Sequence, residues 1–200
     1  GGPVDADCAA GLERAAQLCA RLGHVVTDAR PDIDVAQWQG AFGTMVAVGI
    51  ARSLDERAKA LGRACTENDV ERMTWLIAQS AKGIGGSAYA MALDTRDLLS
   101  AQMAAFHRDH DVLLSPTLAE PPPPLGRLVL SADPATFSAD ATRFSPYTSL
   151  ANLTGQPAMS MPLHRTAAGL PVGMMFQGRY GEEAVLLTLA AQLERAQVEG

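Results

Sequence analysis

The sequence predicts an α/β fold in which helices flank a mixed sheet, and two patterns lead to this prediction. Two nearly continuous apolar runs, residues 156–163 and 170–177, suit strands that are covered on both faces. Six residues join them, too few for a parallel crossover, so we expect an antiparallel hairpin in the sheet interior. Most of the remaining chain shows apolar residues at helical spacing.

The first part of the chain is predicted to form a helix, a short strand and a long helix. Apolar positions between residues 7 and 22 have helical spacing, and Gly23 ends that pattern. Residues 24–29 are a strand candidate that precedes Pro31. A long helical pattern, Val35–Leu61, then carries three glycines, each about 1 kcal/mol less favourable in a helix than alanine. Such small residues suit either tight helix packing or a wall beside a ligand.

Two further helices are expected in the middle of the chain. Thr66 and Asp69 have the spacing of a capping box, which predicts a helix from there to about Ser80. Residues 83–87 are rich in glycine but lack the Gly-Lys-Ser/Thr of a phosphate loop. They are predicted to be a turn in which Ser87 caps a helix that ends near residue 110.

The region that follows is predicted to be a strand and then an irregular segment. Residues 111–115 form a short apolar run that ends at Pro116. The four prolines at 121–124 favour an extended polyproline conformation, and no periodicity is evident up to about Arg143. A long irregular segment in a compact domain is often functional or mobile.

The hairpin is framed by two predicted helices. Ser145 and Pro146 suit the N-cap and first position of a helix that ends at Gly155, for which we expect a left-handed conformation. The last helix is expected over residues 181–197, with acidic residues at its start and Arg195 near its end.

Composition and charge exclude several classes of protein. The chain has 200 residues, of which 48% are hydrophobic and 19% charged, as in a globular domain. Its formal net charge of −6 argues against nucleic-acid binding through a basic face. No apolar run reaches the length of a membrane span, and the first residues do not have the pattern of a signal peptide.

The cysteines and histidines are predicted to be structural. Cys8 and Cys19 share one apolar helical face, and the three cysteines include no Cys-x-x-Cys pair, so we expect reduced thiols and a cytoplasmic protein. His107 and His110 have i, i+3 spacing but no evident further ligand, so they are interpreted as solvated residues at a helix end. The sequence therefore predicts neither a metal site nor a cofactor.

Three segments of the C-terminal half form a recognisable set, namely FSPYTSLANLTGQPAMSMPL, GLPVGMMFQG after it, and FHRDHDVLLSPTLAEPPPP upstream. Together they show a resemblance to the amidase signature family of serine hydrolases. It implies the C-terminal part of an amidase domain, so that residues 1–200 form one domain or part of a larger one. The first half of the chain fits the family more loosely.

The family's chemistry uses a lysine, a serine in a Gly-Ser-rich loop and a nucleophilic serine, which lie in its N-terminal half. This sequence has no such loop, and neither of its two lysines, Lys59 and Lys82, has a matching context. No catalytic residue is therefore assigned here. The resemblance implies that this part supplies scaffold and pocket wall to an enzyme that cleaves carbon–nitrogen bonds, with an amide substrate and the N-terminal half of the domain as partners and a homodimer as a further possibility.

Six residues are site or structural candidates on the basis of the resemblance and the local pattern. Met45 and Gly49 on the long helix, and Ser145 and Tyr147 before the short one, are candidates for lining the substrate pocket. Asn152 and Gly155 are interpreted as structural.

Two alternatives to an amidase remain at this stage. The family's glutamine-using amidotransferase subunits place an aspartate near position 145, so Ser145 favours an amidase of uncharged or apolar substrates. An esterase of the same family is one alternative. A non-catalytic module that binds a partner through its exposed sheet is the other.

Overall fold

The computed structural model describes residues 3–130 and 133–198. In these residues the chain forms seven α-helices and three strands. Their bounds are α1 (Ala6–Arg21), α2 (Val35–Leu61), α3 (Arg72–Ser80), α4 (Gly86–Phe106), β1 (Val112–Pro116), α5 (Pro134–Phe144), α6 (Thr148–Thr154), β2 (Ala158–Arg165), β3 (Pro171–Gly178) and α7 (Glu183–Val198).

The chain divides into two compact units. The sheet unit comprises the described residues within 1–32, 100–124 and 142–200. The helical unit comprises those within 33–99 and 125–141. The α/β class is confirmed.

The sheet has the strand order β1-β3-β2, and the pairs described are antiparallel. Its register places Phe176 of β3 between Leu114 of β1 and Met159 of β2. The predicted hairpin is therefore confirmed, with β3 as the central strand. The prediction that both strands lie in the sheet interior is wrong for β2, which is an edge strand of the described sheet.

The side chains of β2 explain why this strand was wrongly predicted to lie in the sheet interior. Met161 is buried, whereas Ala158, Ser160 and Pro162 are exposed on the opposite face. Small residues on the outer face made an alternating strand resemble a continuous apolar run. Only one face of β2 is covered, as is common in antiparallel sheets.

The core of the sheet unit lies between the sheet and two helices. Cys8 and Cys19 of α1 and Leu193 of α7 pack with Phe176 and other residues of the sheet. Gly11 lets α1 approach closely, because a Cβ there would lie 2.7 Å from Cε of Met174. The predicted first and last helices are thus confirmed, and they cover one face of the hairpin.

The helical unit contains the long helix α2, whose bounds match the predicted ones. Asp34 caps its start, accepting hydrogen bonds from the backbone N–H groups of Ala36 and Gln37 at 2.8 and 3.1 Å. Gly62 ends it in a left-handed conformation, with φ 67°.

Three local predictions in the first half are wrong. Residues 24–29 form no strand. Val25 is 93% exposed, and a β-branched residue favours a strand only where it packs in a sheet. Asp69 does accept hydrogen bonds from the N–H and Oγ1 of Thr66, at 2.8 and 2.9 Å, but these close a turn, and α3 begins later, at Arg72. α4 begins at Gly86, so Ser87 lies inside it.

Two predictions for the second half also differ from the structure. The segment expected to be irregular contains α5, which begins at Pro134 after the cap residue Asp133. α6 begins at Thr148 rather than after Ser145, and its N-cap is Tyr147. Its end is as predicted, because Gly155 has the left-handed φ of 73°.

Candidate functional site

The candidate pocket residues fall in two groups, one in each unit. Met45 and Gly49 are four residues apart on α2, so they lie on one face of that helix. Met45 is half-buried and Gly49 is exposed, with no atom within 4 Å of the position of an added Cβ. An added Cβ at Gly40 or at Gly43 would likewise meet no atom within 4 Å. Packing in the described residues therefore does not explain these three glycines.

A shallow groove of about 150 Å³ lies between α2 and α4 in the helical unit. Its wall is made mainly of small side chains, from Gly40, Ala41, Thr44, Ala88, Met91, Ala92 and Thr95. Gly40 and Gly49 are nine residues apart, two and a half helical turns, and so face opposite sides of α2. Gly49 thus lies away from the groove, whereas Met45 is four residues from Ala41 of the groove wall and shares a face of α2 with it.

In the sheet unit, Ser145 and Tyr147 are half-buried just before α6. The hydroxyl groups of Ser145 and Thr148 lie 2.8 Å apart. Burial, and then the nearby thiol of Cys8, raise the pKa of the Tyr147 phenol. Tyr147 therefore stays protonated at neutral pH, as a donor rather than as a base.

A cavity of about 210 Å³ in the sheet unit has charged residues in its wall. It is lined by Pro3, Val4, Asp5, Ala119, Glu120 and Arg143. The Nε of Arg143 lies 3.5 Å from a carboxylate oxygen of Glu120. The spacing of these residues in the sequence gave no signal for this cluster, because it depends on how α1 meets the segment after β1.

The same carboxylates affect a buried thiol. Burial first, and then Asp5, Asp7 and Glu120, raise the pKa of Cys8 to about 11. Burial also raises the pKa of Cys19. Because the thiolate is the reactive form of cysteine, neither thiol is suited to be a nucleophile at neutral pH.

Two histidines of the sheet unit are buried. The His107 ring lies in the interior with Nδ1 2.9 Å from the carbonyl oxygen of His110, and burial lowers the pKa of this ring. The solvated interpretation of His107 is therefore wrong, because the end of α4 packs inside the unit. His164 of β2 is 7% exposed and contacts Arg14.

The hydroxyl groups described here do not form a nucleophile–base pair. The Oγ atoms of Ser53, Ser80 and Ser115 donate to backbone carbonyls, and Ser160 pairs with the hydroxyl of Thr117 at 2.6 Å. A serine nucleophile needs a base within hydrogen-bond reach. Among the described residues, neither these serines nor Ser145 has a base at that distance.

Asn152 and Gly155 lie on α6 and directly after it. The Asn152 side chain is exposed, and its structural role stays a prediction. Gly155 ends α6, and its N–H donates to the carbonyl of Ala151 at 2.9 Å.

Neither a membrane span nor a metal cluster is found in the part of the chain that the structure describes. No helix there is long and apolar enough to cross a bilayer. Among the same residues, no three His, Cys, Asp or Glu side chains come together as a metal site would require.

The fold and sequence agree with one family of enzymes. The solved structure of a 6-aminohexanoate cyclic dimer hydrolase has a TM-score of 0.87 and 31% identity to this chain, covering 96% of it and 42% of that protein. The enzyme of that name from Paenarthrobacter ureafaciens is 31% identical over 201 residues, 96% of this chain and 41% of the relative. A lipoamidase of Enterococcus faecalis is 28% identical over 214 residues, 97% of this chain and 29% of the relative.

These neighbours define the class of fold as that of amidase signature enzymes. The family model described as Amidase matches residues 2–187, and the chain belongs to this family. It spans about two fifths of the length of the 6-aminohexanoate-cyclic-dimer hydrolases.

Proposed function

We propose that the protein containing this chain hydrolyses a carbon–nitrogen amide bond, and that this chain supplies scaffold and part of the wall of the substrate pocket. The observation that carries the proposal is the family match over residues 2–187. The relatives named above are a 6-aminohexanoate-cyclic-dimer hydrolase and a lipoamidase. No catalytic group is assigned to this chain.

The scaffold role is supported by the exposed outer face of β2. One face is packed against α1 and α7, whereas the outer face of β2 exposes Ala158, Ser160 and Pro162. Such small side chains let another layer approach closely. Because the relatives are more than twice as long as this chain, we propose that the remaining part of the amidase domain covers this face.

The pocket-wall role is supported by α2. Gly49 is exposed beside open space, and Met45 lies one turn away on the same face. Glycine in a helix is costly relative to alanine, so its presence without a packing contact favours a role toward a substrate. Ser145 and Tyr147 are proposed as a second group that provides hydroxyls.

The residues proposed for the wall suit an uncharged or apolar substrate. Met45 offers an adaptable apolar surface, and Ser145 offers a neutral hydroxyl in place of a carboxylate. We further propose that the protein is cytoplasmic, in keeping with the reduced and buried Cys8 and Cys19.

The test uses the full-length protein with fluorogenic amides and matched esters. We expect turnover of uncharged amides that a serine-directed fluorophosphonate abolishes, with the labelled serine outside residues 1–200. A labelled serine inside these residues would contradict the scaffold role. Turnover of esters without amides would favour the esterase, and no turnover at all would favour a binding module.

A further inference from the structure

His164 is enclosed between β2 and α1 in the sheet unit. It is 7% exposed, and it pairs in the sheet with Val172 of β3. Its Nδ1 lies 3.2 Å from a guanidinium nitrogen of Arg14, and its Nε2 lies 3.6 Å from a carboxylate oxygen of Asp7. Asp7 and Arg14 are seven residues apart on α1, so the imidazole is held between residues two turns apart on that helix.

The hydrogen bond to Arg14 determines the tautomer of His164. A guanidinium group has five N–H donors and no acceptor, so Nδ1 of His164 must be the acceptor. The neutral ring therefore carries its proton on Nε2. This buried nitrogen has no hydrogen-bond partner among the described residues, and its separation from Asp7 is slightly longer than a hydrogen bond.

The close approach of α1 keeps this arrangement in place. Gly11 lies between Asp7 and Arg14, and a Cβ there would lie 3.1 Å from Cβ of His164. In the described part of the unit, the charged side chains that contact the ring are Asp7 and Arg14. From β3 the facing residues, Val172 and Met174, are apolar, and the neighbouring Arg165 is directed to the carbonyl of Gly169.

We propose that His164 is a pH-dependent contact between α1 and β2 that binds Arg14 when it is neutral and Asp7 when it is protonated. A proton added at Nδ1 removes the lone pair that Arg14 uses and places two positive charges side by side. The same proton converts Nε2–H and Asp7 into an ion pair. Arg14 lies at the surface and can move into solvent, whereas a small movement of Asp7 would shorten its 3.6 Å separation from Nε2 to a hydrogen bond.

The consequence is an exchange of partners on one helix. The exchange occurs when the ring gains its second proton, that is, in the imidazolium state of His164. In that state the start of α1 is held more firmly against β2 through Asp7, while the contact that Arg14 makes, one turn beyond Gly11, is lost.

The experiment is a long-range proton–nitrogen spectrum of the full-length protein with ¹⁵N-labelled histidine. The His164 signals are assigned by their loss in His164→Gln, or in His164→Asn if the first variant does not fold. At pH 8 we expect the Nε2–H tautomer, with Nδ1 unprotonated. An Nδ1–H tautomer would overturn the proposal.

Two conservative variants then test the exchange of partners. Asp7→Asn should move the protonation of His164 to lower pH, because the carboxylate that favours imidazolium is lost. Arg14→Gln should move it to higher pH, because the opposing charge is lost. The signals of His24, which is exposed and contacts Gln192, serve as the control, and they should be the same in the three proteins at each pH. Equal midpoints in the three proteins would show that the contact is purely structural.

Discussion

Two strand glycines of the sheet unit and two helix glycines of the helical unit have different surroundings. In the sheet unit, a Cβ at Gly173 would lie 2.5 Å from Oγ of Ser160 and 2.9 Å from Oγ1 of Thr117, and one at Gly178 would lie 3.3 Å from Leu186. In the helical unit, a Cβ at Gly43 or Gly49 would meet no atom within 4 Å. The first set is required by close packing, whereas packing within the described chain does not require the second.

The difference separates a closely packed strand from a helix with free surface. Gly173 lies in the central strand beneath a hydroxyl pair that joins the segment after β1 to β2. Gly49 lies in the interior of a 27-residue helix, where alanine would be more favourable by about 1 kcal/mol. A contact outside the described residues, with substrate or with the rest of the enzyme, would explain its presence.

The two units should differ most in the reactivity of their cysteine thiols. A pKa of about 11 for Cys8 means roughly a hundredfold less thiolate near pH 8 than an ordinary thiol of pKa about 9, and burial slows the reaction further. The half-buried Cys65 of the helical unit should react first with a thiol reagent. Mass spectrometry of the native protein at successive times gives the order. Labelling of Cys8 should also rise about tenfold per pH unit up to pH 11. Rapid labelling of Cys8 without unfolding would contradict its burial.

Gly173→Val should cost about 3 kcal/mol of stability, because added volume in a packed site forces neighbours to move. The valine would also break the hydrogen bond between Thr117 and Ser160. The measurement is the urea midpoint. Ala168→Val in the exposed hairpin turn is the matched control, with an expected change within about 0.5 kcal/mol. Equal midpoints would mean that the hydroxyl pair moves aside freely.

Gly155→Val should cost about 1–2 kcal/mol, because a β-branched residue is strained at the left-handed φ of 73°. Ala168→Ser in the exposed hairpin turn should leave the denaturation midpoint unchanged. The loss of stability in Gly155→Asn should be intermediate between those of the two other variants, since asparagine tolerates this conformation better than valine. Equal denaturation midpoints for the valine and asparagine variants would contradict this prediction, because they would show that the end of α6 relaxes without cost.

Gly49→Ala should give the smallest change in stability, a gain of up to about 1 kcal/mol, since no atom opposes the new methyl group. If Gly49 lines the pocket, the same change should lower kcat/KM for an amide in the full-length enzyme. Gly43→Ala is the control, with a similar gain in helix propensity on another side of α2. Equal kcat/KM values for the two variants would argue against a pocket role for Gly49.

Local signals explain the elements that could be predicted from the sequence. α2 has an aspartate before its first residue and a glycine after its last, and both caps are present in the structure. The hairpin follows from two apolar runs and a short connection. α5 could have been predicted as well, because Asp133 and Pro134 are a good N-cap and first helical residue.

Long-range packing explains what could not be predicted. The strand candidate at 24–29 has suitable residues, but strands need partners, and no partner lies beside it in the described structure. The burial of His164 depends on Gly11 and Arg14, which are about 150 residues away in the sequence. The candidate pocket residues Met45 and Gly49 lie in one unit and Ser145 and Tyr147 in the other, and their role in a pocket wall stays a prediction.

The irregularity of β2 has a consequence for self-association. Between Met161 and His164 the register with β3 shifts, and Pro162, which has no N–H group to donate, lies within this bulge. An exposed edge strand is a template for intermolecular β-pairing, and bulges and prolines interrupt such a template. The chain therefore carries, in the middle of its open edge, a block against the growth of β-aggregates whenever this strand is uncovered during synthesis or folding.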